Sequence, residues 1–168
     1  MFEIKTAQEI IASELDFQIA RRRVRQSPLV QAVYRCFLAS GGPVAVDEIV
    51  AAGAGLSPVQ VERELTALDA EDVLHVADGR VDTAYPFTAR PSPFVVRMDD
   101  GRERHVCCAI DALGMAAMLG RPVELRAPCH HCGHSLAFPV GLDGAGPEAA
   151  DVMVWVGPRC EGRALTGL

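Results

Sequence analysis

The segment RHVCCAIDALG at residues 104–114 sets two adjacent thiols, Cys107 and Cys108, beside a carboxyl group, Asp111. On a helix opening near Cys107, residues 108 and 111 are three apart and share a face. A thiol near a helix N-terminus is drawn toward its thiolate form. A neighbouring carboxylate opposes that ionisation unless the carboxyl keeps a proton, so the pair is suited to sharing one proton. It offers a soft nucleophile or metal ligand and a proton donor within one helical turn. Such a pair fits chemistry in which a thiolate attacks a soft centre and an adjacent acid protonates the departing group. The same residues also fit a plainer role, a small apolar pair followed by an aspartate that the helix dipole stabilises.

A second cluster, CHHCGH at 129–134, holds Cys129 and Cys132 at zinc-knuckle spacing, with Gly133 permitting a tight turn behind them. His130, His131 and His134 add nitrogen donors. A structural zinc needs about four ligands and there is no second CxxC, so Cys160 or Cys107 would have to complete the set. Metal binding, a redox pair and structural thiols all remain compatible with this spacing. Cys160, in GPRCEG, has no assigned role from its surroundings alone. Cys36, inside an apolar helical segment, reads as a buried structural thiol.

The elements that must position these groups fall into two halves. An amphipathic helix is expected over 5–26, ending in RRRVR, a solvated basic helix end. Pro28 opens a second helix with Leu29, Val33 and Phe37 on one face, and Gly41-Gly42-Pro43 stops it. VDEIVAAG predicts a short helix. LSPVQVERELTALDAED predicts a third, with Ser57 as N-cap, Pro58 in the first turn and Gln60 completing a capping box. VLHVADGRVDTAY places two strands around Asp78-Gly79, with His75 as a packing histidine in the wing. These are the ingredients of a winged helix-turn-helix. Its third helix carries Glu62, Glu64, Asp69, Glu71 and Asp72 against one Arg63, a surface that phosphate would repel.

ARPSP at 89–93 marks a junction. Beyond it, FVVRM and RERHVC pair around Asp99-Asp100-Gly101, and CCAIDALGMAAMLG forms a helix stopped by Gly120. VELRAP and HSLAFPV flank CHHCG as strands, GLDGAGPEA is a loop, and DVMVWV is a final strand. The fold class is therefore α+β. An N-terminal winged-helix-like helical domain over 1–88 precedes a small mixed-sheet domain with a packed helix over 89–168.

Composition narrows the partners. The chain has 168 residues, 49% of them hydrophobic, which is ample for a packed core. The net charge of -6 disfavours nucleic acid as a partner. No apolar run reaches membrane-span length, and MFEIKTAQEI lacks the pattern of an export signal, so a soluble cytoplasmic protein with reduced thiols is expected.

At VCCAIDALGMAAMLGRPVELRAPC the chain resembles the organomercurial lyase (alkylmercury lyase) family. The resemblance runs from about residue 28 to about residue 156. It rests on the CAxD segment, the helix exit at LGR, and the cysteine 21 residues beyond Cys108. YPFTARPSPFVVRMDDGRERHVCCAID also fits the family's wing, linker and hairpin. The resemblance implies that Cys108 is the first catalytic cysteine and Asp111 the acid that protonates the leaving carbon. It implies a mainly structural part for Cys129. Cys160 takes the position of the second mercury-coordinating cysteine, nearer the preceding strand than in the family pattern and without that pattern's adjoining cysteine and histidine.

The implied function is cleavage of carbon–mercury bonds by thiolate coordination and protonolysis. The implied partners are a small organomercurial and small thiols, with mercury as substrate and product ion and no organic cofactor. Two alternatives use the same residues differently. One is a noncatalytic protein binding mercury, zinc or another soft metal on the same scaffold, with ligands from Cys107, Cys108, Cys129, Cys132, Cys160 and the nearby histidines. The other is a winged-helix interaction or regulatory protein.

Overall fold

The structure is a computed structural model that describes residues 23–154. The helix expected over 5–26 lies outside the described residues apart from 23–26, as do Cys160 and the last two residues of DVMVWV.

Helix α1, Pro28–Ser40, begins where Ser27 Oγ accepts the Val30 amide at 3.3 Å and ends at Gly41, whose φ of 88° closes the C-cap. It buries Leu29, Val33, Tyr34 and Phe37 along one stripe. Strand β1, Val44–Ala45, leads into the short helix α2, Val46–Ala51, where the Glu48 carboxylate accepts the Ala45 amide at 2.7 Å. Helix α3, Pro58–Ala70, has the expected capping box, with Gln60 Oε1 accepting the Ser57 amide at 2.9 Å. Val61, Leu65 and Leu68 face inward, and Glu62, Arg63 and Glu64 face solvent.

Strands β2, Leu74–Ala77, and β3, Arg80–Ala84, form the wing hairpin. Asp78 and Gly79 both take positive φ, 51° and 71°, as a tight two-residue turn requires. β3 is the hub of the first sheet, pairing antiparallel with β1, β2 and the short β4, Phe87–Thr88. His75 Nδ1 lies 2.7 Å from Asp82 Oδ1, and Arg90 binds the other carboxylate oxygen. The wing histidine is thus a satisfied packing residue.

The second sheet is antiparallel, in the order β6-β5-β7-β8-β9. Its strands are β5 (Val95–Arg97), β6 (Glu103–His105), β7 (Val123–Pro128), β8 (Ser135–Gly141) and β9 (Gly144–Ala145). Helix α4, Ala109–Leu119, packs on it through Ala112, Met115 and Ala116, and Gly120 ends it with a φ of 67°. The fold is α+β, as the sequence predicts.

Two local expectations need correction. GLDGAGPEA is not a plain loop: it holds β9 and a 3-10 turn, Pro147–Ala149. Residues 151–154 form no strand. They run instead along the wall of a cavity.

The two sheets meet in one hydrophobic cluster. Phe87 stacks on Phe37 with ring centroids 5.8 Å apart, and Tyr34 meets Phe87 edge-on. Arg104 on β6 reaches the C-terminal end of α1. Its Nε donates to the Phe37 carbonyl at 2.7 Å, and Nη2 donates to those of Leu38 and Ala39 at 2.6 and 2.8 Å. A single cation thereby serves three carbonyls at the helix end, of which that of Phe37 also accepts the Gly41 amide at 2.8 Å. No helix among the described residues is long and apolar enough to cross a membrane.

Candidate active site at the start of helix α4

Cys108 is the N-cap of α4 rather than a residue of its first turn. Its extended backbone, φ -154°, turns Sγ back over the helix start, where it accepts the Asp111 amide at 3.4 Å. Asp111 stands at the third helical position and returns its carboxylate to the cap. The Cys108 thiol donates to Asp111 Oδ2 at 3.1 Å. CAxD thus caps the helix with sulfur in place of the usual hydroxyl oxygen, and the Asp111 carboxylate bonds back to the capping thiol. Local geometry alone brings the thiol and the carboxyl together.

Burial sets the charge state of the pair. It pushes the Cys108 thiol up to about 12, and the Asp111 charge adds to the effect. The amides of Asp111 and Ile110 pull the other way without reversing it. The expected preference for thiolate at a helix N-terminus is therefore overridden by desolvation and a carboxylate neighbour. Burial also raises Asp111 above the usual carboxylate range, while the hydrogen bond from Cys108 and the charge of Arg25 oppose that rise.

The neighbours come from distant parts of the chain. Tyr34 of α1 donates its hydroxyl to the Tyr85 carbonyl at 2.6 Å. Burial pushes its ionisation up to about 12, Arg25 opposes this, and Asp111 adds to it. The Arg25 guanidinium lies over the Tyr85 ring, 6.0 Å from its centroid. The basic helix end read from the sequence as solvated thus has one member, Arg25, half-buried and acting electrostatically on Asp111. Neither Tyr34 nor Arg25 carried a motif that could have singled it out.

The other cysteines separate. Cys107 is buried and donates to the Phe87 carbonyl at 3.6 Å, and burial raises its ionisation far above that of a free thiol. It borders a cavity of about 240 Å³ beside Thr88, Arg90 and Ser92, and points away from Cys108. Cys36 is half-buried against the Glu48 carbonyl.

Cys129 and Cys132 occupy the turn between β7 and β8. The Cys129 amide donates to the His134 carbonyl at 2.7 Å, and the Gly133 amide donates to the Cys129 carbonyl at 2.8 Å. Hydrogen bonds from the Cys132 and His131 amides, and then from the Cys132 thiol, hold Cys129 below the ordinary thiol range. Among the described residues no group of three or more His, Cys, Asp or Glu side chains could hold a metal ion.

A cavity of about 400 Å³ lies between α4 and the second sheet, walled by Phe94, Leu113, Leu125, Leu136 and Phe138 with Cys129 at its edge. Ala109 borders it, but Cys108 and Asp111 do not. The two side chains face each other instead, half-buried.

Residues 87–166 match the family model described as alkylmercury lyase. An alkylmercury lyase of Streptomyces lividans is 34% identical over 116 residues, covering 69% of this chain and 49% of that protein. One from Staphylococcus epidermidis is 35% identical over 106 residues, covering 63% of this chain and 47% of that protein.

The chain belongs to the alkylmercury lyase family.

It spans about half the length of these two relatives. A solved structure described as the mercury-bound form of MerB2 superposes with a TM-score of 0.59 at 18% identity, covering 73% of this chain and 58% of that one. At that identity the likeness speaks for the fold. The family match contains Cys108, Asp111, Cys129, Cys132 and Cys160.

Proposed function

We propose that this alkylmercury lyase family member cleaves the carbon–mercury bond of small organomercurials, releasing the organic group as a hydrocarbon. The observation that carries the reading is the Cys108 Sγ–Asp111 Oδ2 contact of 3.1 Å. It joins a soft ligand to a proton acceptor that can return the proton.

Both groups are raised by burial, so the resting pair keeps the thiol proton on sulfur, directed at the carboxylate. A mercury centre carrying an alkyl or aryl group and a small thiolate approaches Cys108. A sulfur–mercury bond forms, the small thiolate leaves, and the thiol proton passes to Asp111. Protonated Asp111 then delivers that proton to carbon, which takes the electron pair of the carbon–mercury bond and departs as hydrocarbon. Asp111 returns to its carboxylate. Mercury is left on Cys108 and needs a second thiolate to form a neutral linear dithiolate. Cys160 takes that part in this proposal, and a small thiol can stand in for it.

In the same reading residues 1–88 form the scaffold that brings Tyr34 and Arg25 to the pair, and residues 89–168 carry the chemistry. Mercury is substrate and product, and no organic cofactor is used. The test is hydrocarbon release from an organomercurial with excess small thiol, followed by headspace gas chromatography. Cys108→Ser should abolish release. Asp111→Ala should bind mercury yet lose release by about 10²- to 10⁴-fold, the range for a positioned proton donor. Wild-type protein that binds mercuric ion tightly but yields no hydrocarbon would overturn the reading.

A further inference from the structure

The β7–β8 turn presents a pair of thiols for which the proposed chemistry at Cys108 has no use. The turn is tightly held. Pro128 and Ser135 form the last pair of the β7–β8 ladder, and beyond them the Cys129–His134 and Gly133–Cys129 backbone hydrogen bonds close the loop. Gly133, at a φ of 71°, supplies the left-handed residue that lets the chain reverse. This geometry sets Cys129 and Cys132 at the two ends of one tight turn, with Cys132 exposed and Cys129 half-buried at the cavity edge. Both thiols are free.

Ligand number decides which cation such a pair suits. Zinc takes about four ligands in structural sites, and among the described residues no third His, Cys, Asp or Glu completes a set with these two. The nearby histidines and Cys132 are exposed, so water would have to fill the remaining positions around zinc. A soft d10 cation that prefers two thiolates in line has no such deficit. Two thiolates neutralise a divalent ion, and Cys132, free on the outer side of the turn, can swing to open the sulfur–sulfur separation that linear coordination requires.

We propose that Cys129 and Cys132 form a two-thiolate site that binds mercuric ion without the participation of Cys108. The site is a chelate: once Cys129 takes the ion from solution or from a small thiol, Cys132 displaces the remaining ligand. Each sulfur–mercury bond forms as the thiol proton leaves for solvent and the incoming small thiolate departs, so no oxidant or reductant is involved. Cys129 contributes rigidity and Cys132 contributes reach. The site does not depend on whether the chain cleaves organomercurials.

The experiment uses the full-length Cys108→Ser/Cys160→Ser protein, which removes both proposed ligands of the cleavage site. Mercuric ion is titrated in the presence of a competing small monothiol, and binding is followed by the ultraviolet thiolate-to-mercury band. Peptide mass spectrometry after alkylation identifies the protected cysteines. One ion per chain is expected, with Cys129 and Cys132 protected together. Adding Cys132→Ser, an exposed change that a thermal melt should find harmless, should weaken binding by about 10²- to 10⁴-fold through loss of the chelate. Equal affinity after Cys132→Ser, or mercury bound while Cys132 stays open to alkylation, would overturn the proposal. So would displacement of the ion by an equal concentration of zinc. No turnover is measured, so this result stands apart from the success or failure of the lyase reading.

Discussion

Cys108 Sγ and Asp111 Oδ2 lie 3.1 Å apart because one caps the helix whose first turn holds the other. The contact is local, three residues in sequence, and it is the capping geometry itself that aims the acid at the thiol. The electrostatic character of the pair comes from elsewhere. Burial raises the pKa of the thiol, and the Asp111 charge adds to it.

The coupling of the two groups can be read without substrate. Burial raises the Cys108 thiol most and the Asp111 charge adds to it, and Asp111→Asn removes that second contribution. Alkylation of Cys108 by iodoacetamide at pH 8 should then speed up, by about tenfold for each unit that its ionisation falls. Peptide mass spectrometry separates Cys108 from the other cysteines. An unchanged or slower rate would show that Asp111 does not govern the thiol.

Stability should decline in alkaline solution. Cys108 rises from its ordinary 9.0 to about 12 in the folded chain, and Tyr34 from 10.0 to about 12. Cys107 is shifted in the same direction. Between pH 9 and 12 the unfolded chain releases protons that the folded chain retains. Folding free energy is therefore lost as pH rises through that window, and fully present below it. Thermal melts followed by circular dichroism at pH 8, 9, 10 and 11 should show a falling Tm, and Cys108→Ser should make the fall shallower.

Arg104→Ala should destabilise the fold by about 1–3 kcal/mol, the cost of leaving backbone acceptors without a charged donor. The residue donates to the carbonyls of Phe37, Leu38 and Ala39 and links β6 to the end of α1. Urea denaturation provides the measurement. Arg104→Lys should recover only part of the loss, since one ammonium cannot reproduce the guanidinium fork.

The wing half should not grip duplex DNA. Helix α3 shows Glu62 and Glu64 to solvent beside a lone Arg63, and the whole chain carries a net charge of -6. Fluorescence titration at low salt should give no submicromolar binding, and none that weakens steeply as salt is added.

Much of this architecture is legible in the sequence because it is written in short-range signals. Ser57 with Gln60, Asp78-Gly79, and Gly120 after Leu119 mark their boundaries through caps and turns that neighbouring residues complete by themselves. DVMVWV misleads for the converse reason. Its composition suits a strand, but a strand needs a partner edge, and residues 151–154 pair with none.

The sequence by itself determined the α+β class, the capped helices, the hairpins and the Cys108–Asp111 pair, since each depends on residues within a few positions of one another. The tertiary structure alone decided the surroundings that give the pair its chemistry. Tyr34, on α1, and Arg25, just before it, act electrostatically with Asp111 across a long sequence separation that only the packing of the chain closes. Cys107 turns toward the Phe87 carbonyl while its neighbour Cys108 turns to Asp111. Desolvation, which reverses the expected thiolate preference of Cys108, is a property of everything packed around it, and no spacing of residues along the chain encodes that sum.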